Sequence, residues 1–216
     1  MSLIALMNRL TEEERLFSLT RIERELWVQP GVVLAGMDEV GRGPLAGPVV
    51  AACVVLPPAP LVRFVNDSKK LTAKRRAEVY ESITKQAEGF ALGWVKAEAV
   101  DNRGILKATR EAFYLACTRI KLPVTDLLID ALRDLPVPMK QHSFIHGDAQ
   151  SYLIGAASII AKVLRDKYME EQHDLYPQYG FNKNKGYGTA EHIAALKKYG
   201  PCPLHRQSFI KGIIGA

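Results

Sequence analysis

Asp38 and Glu39 are adjacent carboxylates at the end of an apolar run, Val32-Val33-Leu34-Ala35-Gly36-Met37, and they lead directly into Val40-Gly41-Arg42-Gly43-Pro44. Ionised carboxylates are costly to desolvate without partners, so a buried strand that ends in two of them calls for a cation. The glycines on either side of Arg42 have no Cβ and let the backbone approach another molecule closely. Asp130 closes a second apolar run, Leu127-Leu128-Ile129, and Asp148 follows Ser143-Phe144-Ile145-His146-Gly147 in a similar pattern. Taken singly, each acid is more simply a helix cap or a solvated loop residue. Three of them after three short apolar runs read differently, because binding sites in open α/β sheets lie beyond strand ends. Carboxylates gathered there repel one another unless a cation sits among them. Hard oxygen donors without a cysteine cluster point to Mg²⁺ or Mn²⁺ rather than zinc. Two such ions about 4 Å apart can activate a water and stabilise a leaving oxygen in phosphodiester hydrolysis.

The elements that must position these acids follow from the hydrophobic pattern. Val32–Met37 and Val49–Leu56 read as strands joined by the glycine turn, and residues 90–97 and Thr125–Asp130 as further strands. The stretch Ser143–Asp148 reads as a strand that ends in its acid. Helices are expected over residues 73–88, with Thr72 as a cap, over 105–120, over Tyr152–Leu175, and from Thr189 to Tyr199. Strands first, then strands alternating with helices, give an α/β fold, a mixed β-sheet flanked by helices. Residues 2–27 look helical: Leu3, Leu6 and Leu10 share one stripe, Leu19, Ile22 and Leu26 another, and Thr11 with Glu14 forms a capping-box pattern. Pro30-Gly31 then punctuates the chain. Residues 1–30 therefore read as an N-terminal helical extension and 31–216 as the main domain, including a C-terminal helical part.

The 216 residues carry 29 Lys and Arg against 23 Asp and Glu, a formal charge of +6, which permits an anionic polymer as partner. Cys53, Cys117 and Cys202 are odd in number and far apart, so neither a structural zinc site nor a disulfide framework is indicated. The start is not a convincing signal peptide, and no segment is long and apolar enough to span a bilayer. The expectation is a monomer in the cytoplasm, away from membranes. Asp166 lies four residues after Lys162 on the long helix, where an ordinary ion pair accounts for it. Asp67, Asp126, Asp134 and Asp174 have no setting comparable to the three acids. His146 reads as a packed strand residue, with metal ligand or proton carrier as the alternative.

With these residues in place, the chain closely resembles bacterial ribonuclease HII over residues 32–210. The resemblance rests on the run Gly36–Val50, on Asn66-Asp67-Ser68-Lys69-Lys70-Leu71, on Leu128-Ile129-Asp130 and on Gly147-Asp148. It continues through Ala156–Asp166, Tyr176–Phe181, Lys185-Gly186-Tyr187-Gly188-Thr189 and His205-Arg206-Gln207-Ser208-Phe209. It implies a ribonuclease H-like fold, cleavage of RNA in RNA–DNA hybrids, and incision 5′ to single ribonucleotides embedded in duplex DNA. The four catalytic, metal-binding acids of that family fall on Asp38, Glu39, Asp130 and Asp148, with two divalent ions bound alongside substrate. Its ribonucleotide-sensing Gly-Arg-Gly falls on Gly41, Arg42 and Gly43, and its sensing tyrosine on Tyr187. Two departures stand out: His146 where the family usually has Lys, and Ala131 where it usually has Gly after the third acid.

Recognition on this reading needs contact with the 2′-hydroxyl, the atom that separates RNA from DNA. Ser68 and Lys69 are the favoured phosphate contacts. Lys70, Lys74, Arg75, Arg76, Lys183 and Lys185 are further candidates, with a solvated helix face an equally good account of residues 74–76. Two other functions compete: a metal nuclease or strand-transfer enzyme on the same fold that ignores the 2′-hydroxyl, and a nucleic-acid-binding domain that does not cut.

Overall fold

Two glycines set how the layers of this molecule meet. The computed structural model describes residues 11–215. Its first elements are α1 (Glu12–Leu19) and α2 (Arg21–Trp27), followed by the hairpin β1 (Leu34–Val40) and β2 (Val49–Val55). Then come α3 (Ala73–Gln86), β3 (Gly89–Val95), α4 (Ala97–Arg103), α5 (Ile105–Arg119), β4 (Asp126–Asp130) and β5 (Lys140–Phe144). The chain ends with α6 (Tyr152–Leu175), α7 (Phe181–Asn184), α8 (Ala190–Tyr199) and α9 (Gln207–Ile214). The five strands form one sheet in the order β3-β2-β1-β4-β5. The hairpin β1–β2 and the pair β2–β3 are antiparallel, while β1–β4 and β4–β5 are parallel.

Strand alternation sends Leu34 and Leu128 to one face, where α6 lies, and Ala35, Met37, Leu127 and Ile129 to the other, where α5 lies. A Cβ on Gly36 would sit 2.1 Å from the Leu153 carbonyl carbon, and a Cβ on Gly93 would sit 1.9 Å from the Ala112 oxygen. Only glycine at these two points lets the α6 and α5 backbones lie flat on the sheet. The long helix α6 is buried through its first ten residues, Tyr152 to Ala161. That burial matches its nearly unbroken apolar run, Tyr152-Leu153-Ile154-Gly155-Ala156-Ala157, and it makes α6 the wall behind the exit of β1.

The expected capping box is present: Thr11 Oγ1 accepts from the Glu14 N–H at 3.3 Å, and the Glu14 carboxylate accepts from the Thr11 N–H at 2.7 Å. The stripe Leu3, Leu6 and Leu10 lies outside the described residues. Leu16, Leu19 and Ile22 enter the same apolar cluster as β1 and α6. Glu23 on α2 is fully buried, and its Oε1 accepts from Ser151 Oγ at 2.5 Å and from the Leu153 N–H at 2.9 Å. The N-terminal helices are thereby joined to the start of α6 by a carboxylate that burial pushes above its usual range.

Three expectations need correction. The strand read as Ser143–Asp148 is β5, Lys140–Phe144, and Asp148 lies beyond it on a one-turn 3₁₀ helix, Gly147–Ala149. Its first half, Lys140-Gln141-His142, shows no apolar alternation because this edge strand is only half-buried; His142 Nε2 bonds Asp126 Oδ1 at 2.8 Å instead. Helix α4 was not foreseen ahead of α5; Gly104, at φ 80°, separates the two. The strand read as Val32–Met37 is β1, Leu34–Val40, and it carries Asp38 and Glu39 inside it, opposite Ala52 and Ala51 of β2.

Candidate active site

Asp38, within β1, and Asp130, the last residue of β4, stand at the same level on neighbouring parallel strands, one residue past their last registered pair, Met37 and Ile129. Both follow the parity of Gly36 and Leu128 and so turn toward α6. Asp38 is almost fully buried against Ser158 of that helix. Burial, then the charge of Glu39, pushes its carboxyl well above the usual range, and Asp130 adds to this; hydrogen bonds from Ser158 and the Glu39 N–H, the latter at 2.7 Å, oppose it. Glu39 is raised too, first by burial and then by Asp130, against the pull of Arg42, whose guanidinium stands 3.3 Å from Glu39 Oε1. Asp130 Oδ1 accepts from the Gly147 N–H at 2.8 Å, which anchors the turn that carries Asp148.

Asp148 arrives by a different route from the other two strand acids. Burial raises its carboxyl, then the charge of Asp67, then that of Asp130, with Lys69 opposing. Asp67, set aside in the sequence as without a comparable setting, therefore faces Asp148. Its Oδ1 also accepts from the Lys69 N–H at 2.9 Å and caps the short turn Ser68–Lys70. The signal that could have found it was its place beside Ser68 and Lys69, not its own hydropathy setting. His146 is exposed and left-handed, at φ 57°, and is not a packed strand residue. Ala131 is also left-handed, at φ 51°, a conformation that glycine adopts without strain.

A cavity of about 670 Å³ opens over these acids. Glu39, Gly41, Arg42, Gly43, Ser68, Lys69, Asp130 and Tyr187 all line it, so eight of the ten candidate residues share one wall. Asp38 and Asp148 are buried and do not line it. Ser158 and Lys162 of α6 complete it and were not foreseen as site residues. Ser68 is buried, its Oγ 2.9 Å from Ser158 Oγ, so of the favoured pair only Lys69 extends freely. Tyr187 is 41% exposed, with Lys162 Nζ 5.7 Å and Arg165 Cζ 5.9 Å from its ring centre. A slightly larger cavity of about 730 Å³, walled by Leu16, Phe17, Trp27 and Leu61, is apolar and holds none of the candidates.

Some of the basic residues are already engaged. Arg76 donates to the Ser68 and Leu71 carbonyls at 2.8 and 2.9 Å, so it shapes the Ser68–Lys69 loop from behind. Lys185 bonds Glu170 at 2.6 Å, Arg75 pairs with Glu78 at 3.1 Å, and Lys162 pairs with Asp166 at 2.8 Å as expected for an i, i+4 pair. Two fully buried arginines carry the glycine turn. Arg165 donates to Pro48 O at 2.9 Å, Lys185 O at 3.0 Å and Ala46 O at 3.2 Å. Arg206 donates to Gly41 O at 2.6 Å and Arg42 O at 3.0 Å, and twice to Gly47 O.

A family model described as Ribonuclease HII matches residues 35–212. The chain belongs to the ribonuclease HII family. A ribonuclease HII of Caldanaerobacter subterraneus subsp. tengcongensis is 47% identical over 203 residues, covering 94% of this chain and 84% of that protein. The crystal structure of ribonuclease H2 from Pyrococcus horikoshii OT3 matches with a TM-score of 0.72 at 25% identity, covering 84% of this chain and 97% of that one. A structure of Bst-RNase HIII in complex with Mn²⁺ shares the fold at 16% identity, with a TM-score of 0.63 over 85% of this chain and 68% of that one. As a ribonuclease HII, the chain is a metal-dependent endoribonuclease with a ribonuclease H-like α/β fold. Among the described residues, no helix is long and apolar enough to cross a membrane.

Proposed function

We propose that this ribonuclease HII hydrolyses the RNA strand of RNA–DNA hybrids and incises 5′ to single ribonucleotides in duplex DNA, leaving 3′-hydroxyl and 5′-phosphate ends. One observation carries the reading: Glu39 and Asp130 share a cavity wall with Gly41, Arg42, Gly43 and Tyr187, so charge for catalysis and contacts for a ribose face the same space.

The acids suit a hard divalent ion, Mg²⁺ or Mn²⁺. Asp38 is buried and Glu39 partly buried, and each is raised by a neighbouring carboxylate charge, a strain that a cation would relieve. Mn²⁺ bound on the shared fold by Bst-RNase HIII supports the same choice. Among the described residues, no three acidic, His or Cys side chains already form an ion cage. The charge of Asp130 helps to raise the carboxyls of Asp38, Glu39 and Asp148 alike, and we assign Asp38, Glu39, Asp130 and Asp148 to hold the ions. Two ions, bound with substrate, would supply activation of a water and stabilisation of the departing oxygen.

The chain's own residues place the substrate. The Gly41–Gly43 backbone approaches the 2′-hydroxyl without Cβ interference, and the Tyr187 phenol bonds the same hydroxyl while its ring packs on a sugar. Lys69 and Arg42 hold phosphates and fix register without reading sequence. Water attacks the phosphorus 5′ to the ribonucleotide and the bond from phosphorus to the 3′ oxygen breaks. The upstream strand leaves with a 3′-hydroxyl, and the phosphate stays on the ribonucleotide. The 2′-hydroxyl is recognised and is not the nucleophile. The acting unit is a single chain in the cytoplasm, with residues 1–30 as an extension of the catalytic domain 31–216.

The test offers one duplex with a single ribonucleotide and the same duplex in all-DNA form, each with Mg²⁺ and with chelator. The expected result is one cut, only in the first duplex and only with the ion, giving a 3′ end that a DNA polymerase extends. Equal cutting of both duplexes, or a 2′,3′-cyclic phosphate end, would overturn the reading.

A further inference from the structure

Behind Tyr187 the chain buries two histidines in a single chain of hydrogen bonds. His192, on α8, is fully buried, and its Nδ1 lies 2.8 Å from the Tyr187 carbonyl oxygen. A carbonyl only accepts, so that nitrogen carries a proton. The other ring nitrogen, Nε2, lies 3.0 Å from His205 Nε2. In a neutral His192 it is a lone pair, so His205 Nε2 is the donor. His205 Nδ1 is then a lone pair, and it accepts from the Cys202 N–H at 3.0 Å. The direction is fixed throughout: Cys202 N–H to His205, His205 to His192, His192 to the Tyr187 carbonyl.

A second proton on either ring would set two donors against each other. Burial holds both rings neutral at working pH; His205 is lowered to about 4, with His192 beside it contributing. The groups packed around the pair are aromatic or neutral: Phe181 5.4 Å from His192, Tyr179 4.7 Å from His205, and the Cys202 thiol 3.2 Å from His205 Nδ1.

The next residue after His205 reaches the other recognition loop. Arg206 holds the Gly41, Arg42 and Gly47 carbonyls, its N–H donates to Leu45 O at 2.8 Å, and the His205 backbone bridges to Ala46. One dipeptide is therefore tied through its first residue to Tyr187 and through its second to Gly41-Arg42. The direct strap between the two loops, Leu45 N–H to Gly186 O at 2.8 Å, closes the same ring.

We propose that His192, His205 and Arg206 form a positioning unit that sets the spacing between the Gly41–Gly43 backbone and Tyr187, and so sets the preference for ribose over deoxyribose. The proposal rests on the reading of those two elements as the ribose contacts. None of the three residues touches substrate; each acts through the loop it holds.

The test measures duplex affinity in chelator by fluorescence anisotropy, with one ribonucleotide present and without, and takes the ratio as the ribose preference. His192→Phe keeps an aromatic volume and loses the donor to Tyr187. Its ratio is expected to fall by about tenfold or more, with all-DNA affinity unchanged, because a small displacement of a positioned group is costly. His192→Asn, whose amide can take the place of Nδ1–H, is expected to recover part of the ratio. A second pair guards against loss of folding. His205→Gln keeps a donor toward His192 and retains the ratio, whereas His205→Asn keeps only the acceptor for Cys202 and lowers it. Tyr187→Phe in the same assay separates the two claims. If it lowers the ratio while folded His192→Phe and His205→Asn do not, the positioning unit is refuted and the tyrosine reading stands. If it leaves the ratio unchanged, the tyrosine reading fails and the positioning unit fails with it.

Discussion

Asp38→Asn is expected to lower incision at a ribonucleotide by about 10³-fold and, in the absence of metal, to raise the melting temperature. The first effect follows from removing a ligand from ions whose charge stabilisation is worth several kcal/mol at about 1.4 kcal/mol per tenfold. The second follows from where the carboxylate sits. Asp38 is buried beside Glu39 and near Asp130, and burial together with their charges raises its carboxyl well above the usual range. The folded protein therefore holds a proton there at pH values where the unfolded chain has lost it. Stability from this group falls as pH rises from the ordinary carboxylate value of 3.8 toward the raised one, so the neutral-pH protein carries a cost that the acid form lacks. Asparagine removes that cost, for a gain of about 1 kcal/mol or 2–4 °C at neutral pH, shrinking to nothing in acid. Mg²⁺ or Mn²⁺ should raise the melting temperature of the parent chain and do much less for the variant, since only the parent gains binding energy at Asp38. Calorimetry at several pH values, with and without the ion, checks all of this. Equal ion stabilisation of both proteins would remove Asp38 from the ion site.

Gly41→Ala is expected to cost about 3 kcal/mol of stability and more than 100-fold in incision, although no catalytic atom is removed. Gly41 sits at φ 93°, where an L side chain is strained, and its Cβ would lie 2.4 Å from Arg165 Nε and 2.5 Å from Pro48 O. Neither neighbour is free to yield. Pro48 O is backbone and accepts from Arg165 at 2.9 Å, and Arg165 also holds Lys185 O and Ala46 O. The methyl therefore displaces the turn and the Tyr187 loop together. Chemical unfolding and incision assays check it. A variant of parental stability with parental incision would show that the turn tolerates displacement and has no positioning duty. Gly43 makes the contrast: nothing lies within 4 Å of its added Cβ. Gly43→Ala should leave stability within about 0.5 kcal/mol, so any loss of incision there reports on substrate approach.

The parts of this site that were legible in the sequence are those made by regular elements. Asp130 ends a buried strand and Asp38 stands within another, each directly after an apolar run, and an acid in that place announces itself. The helix Tyr152–Leu175 was readable to its last residue because its apolar run is long and its cap, Ser151, accepts from the Ile154 N–H at 3.2 Å. Asp148 was found for a partly wrong reason, since a left-handed residue at His146 and a 3₁₀ turn carry it where a strand was expected. Asp67 was passed over because nothing local marks it; what matters is a neighbour 81 positions along the chain. Arg165, Arg206 and His205 were visible only as motif letters, and His192 lay outside every motif. Their work is to satisfy backbone carbonyls or one another in the interior, and hydropathy carries no signal for a buried arginine held by four carbonyl bonds. The N-terminal helices were legible from their stripe and capping box, but the burial of Glu23 against Ser151 and Leu153 depends on distant packing that local pattern does not encode.

The central claim is that a cluster of carboxylates and a ribose sensor face one space. A crystal structure of the Asp130→Asn variant with Mn²⁺ and a duplex carrying a single ribonucleotide tests it most directly. The account predicts anomalous manganese signal against Asp38 and Glu39, and the 2′-hydroxyl within hydrogen-bond distance of both the Gly41–Gly43 backbone and the Tyr187 phenol. A duplex seated elsewhere, or a 2′-hydroxyl facing solvent with manganese absent from those carboxylates, would contradict it.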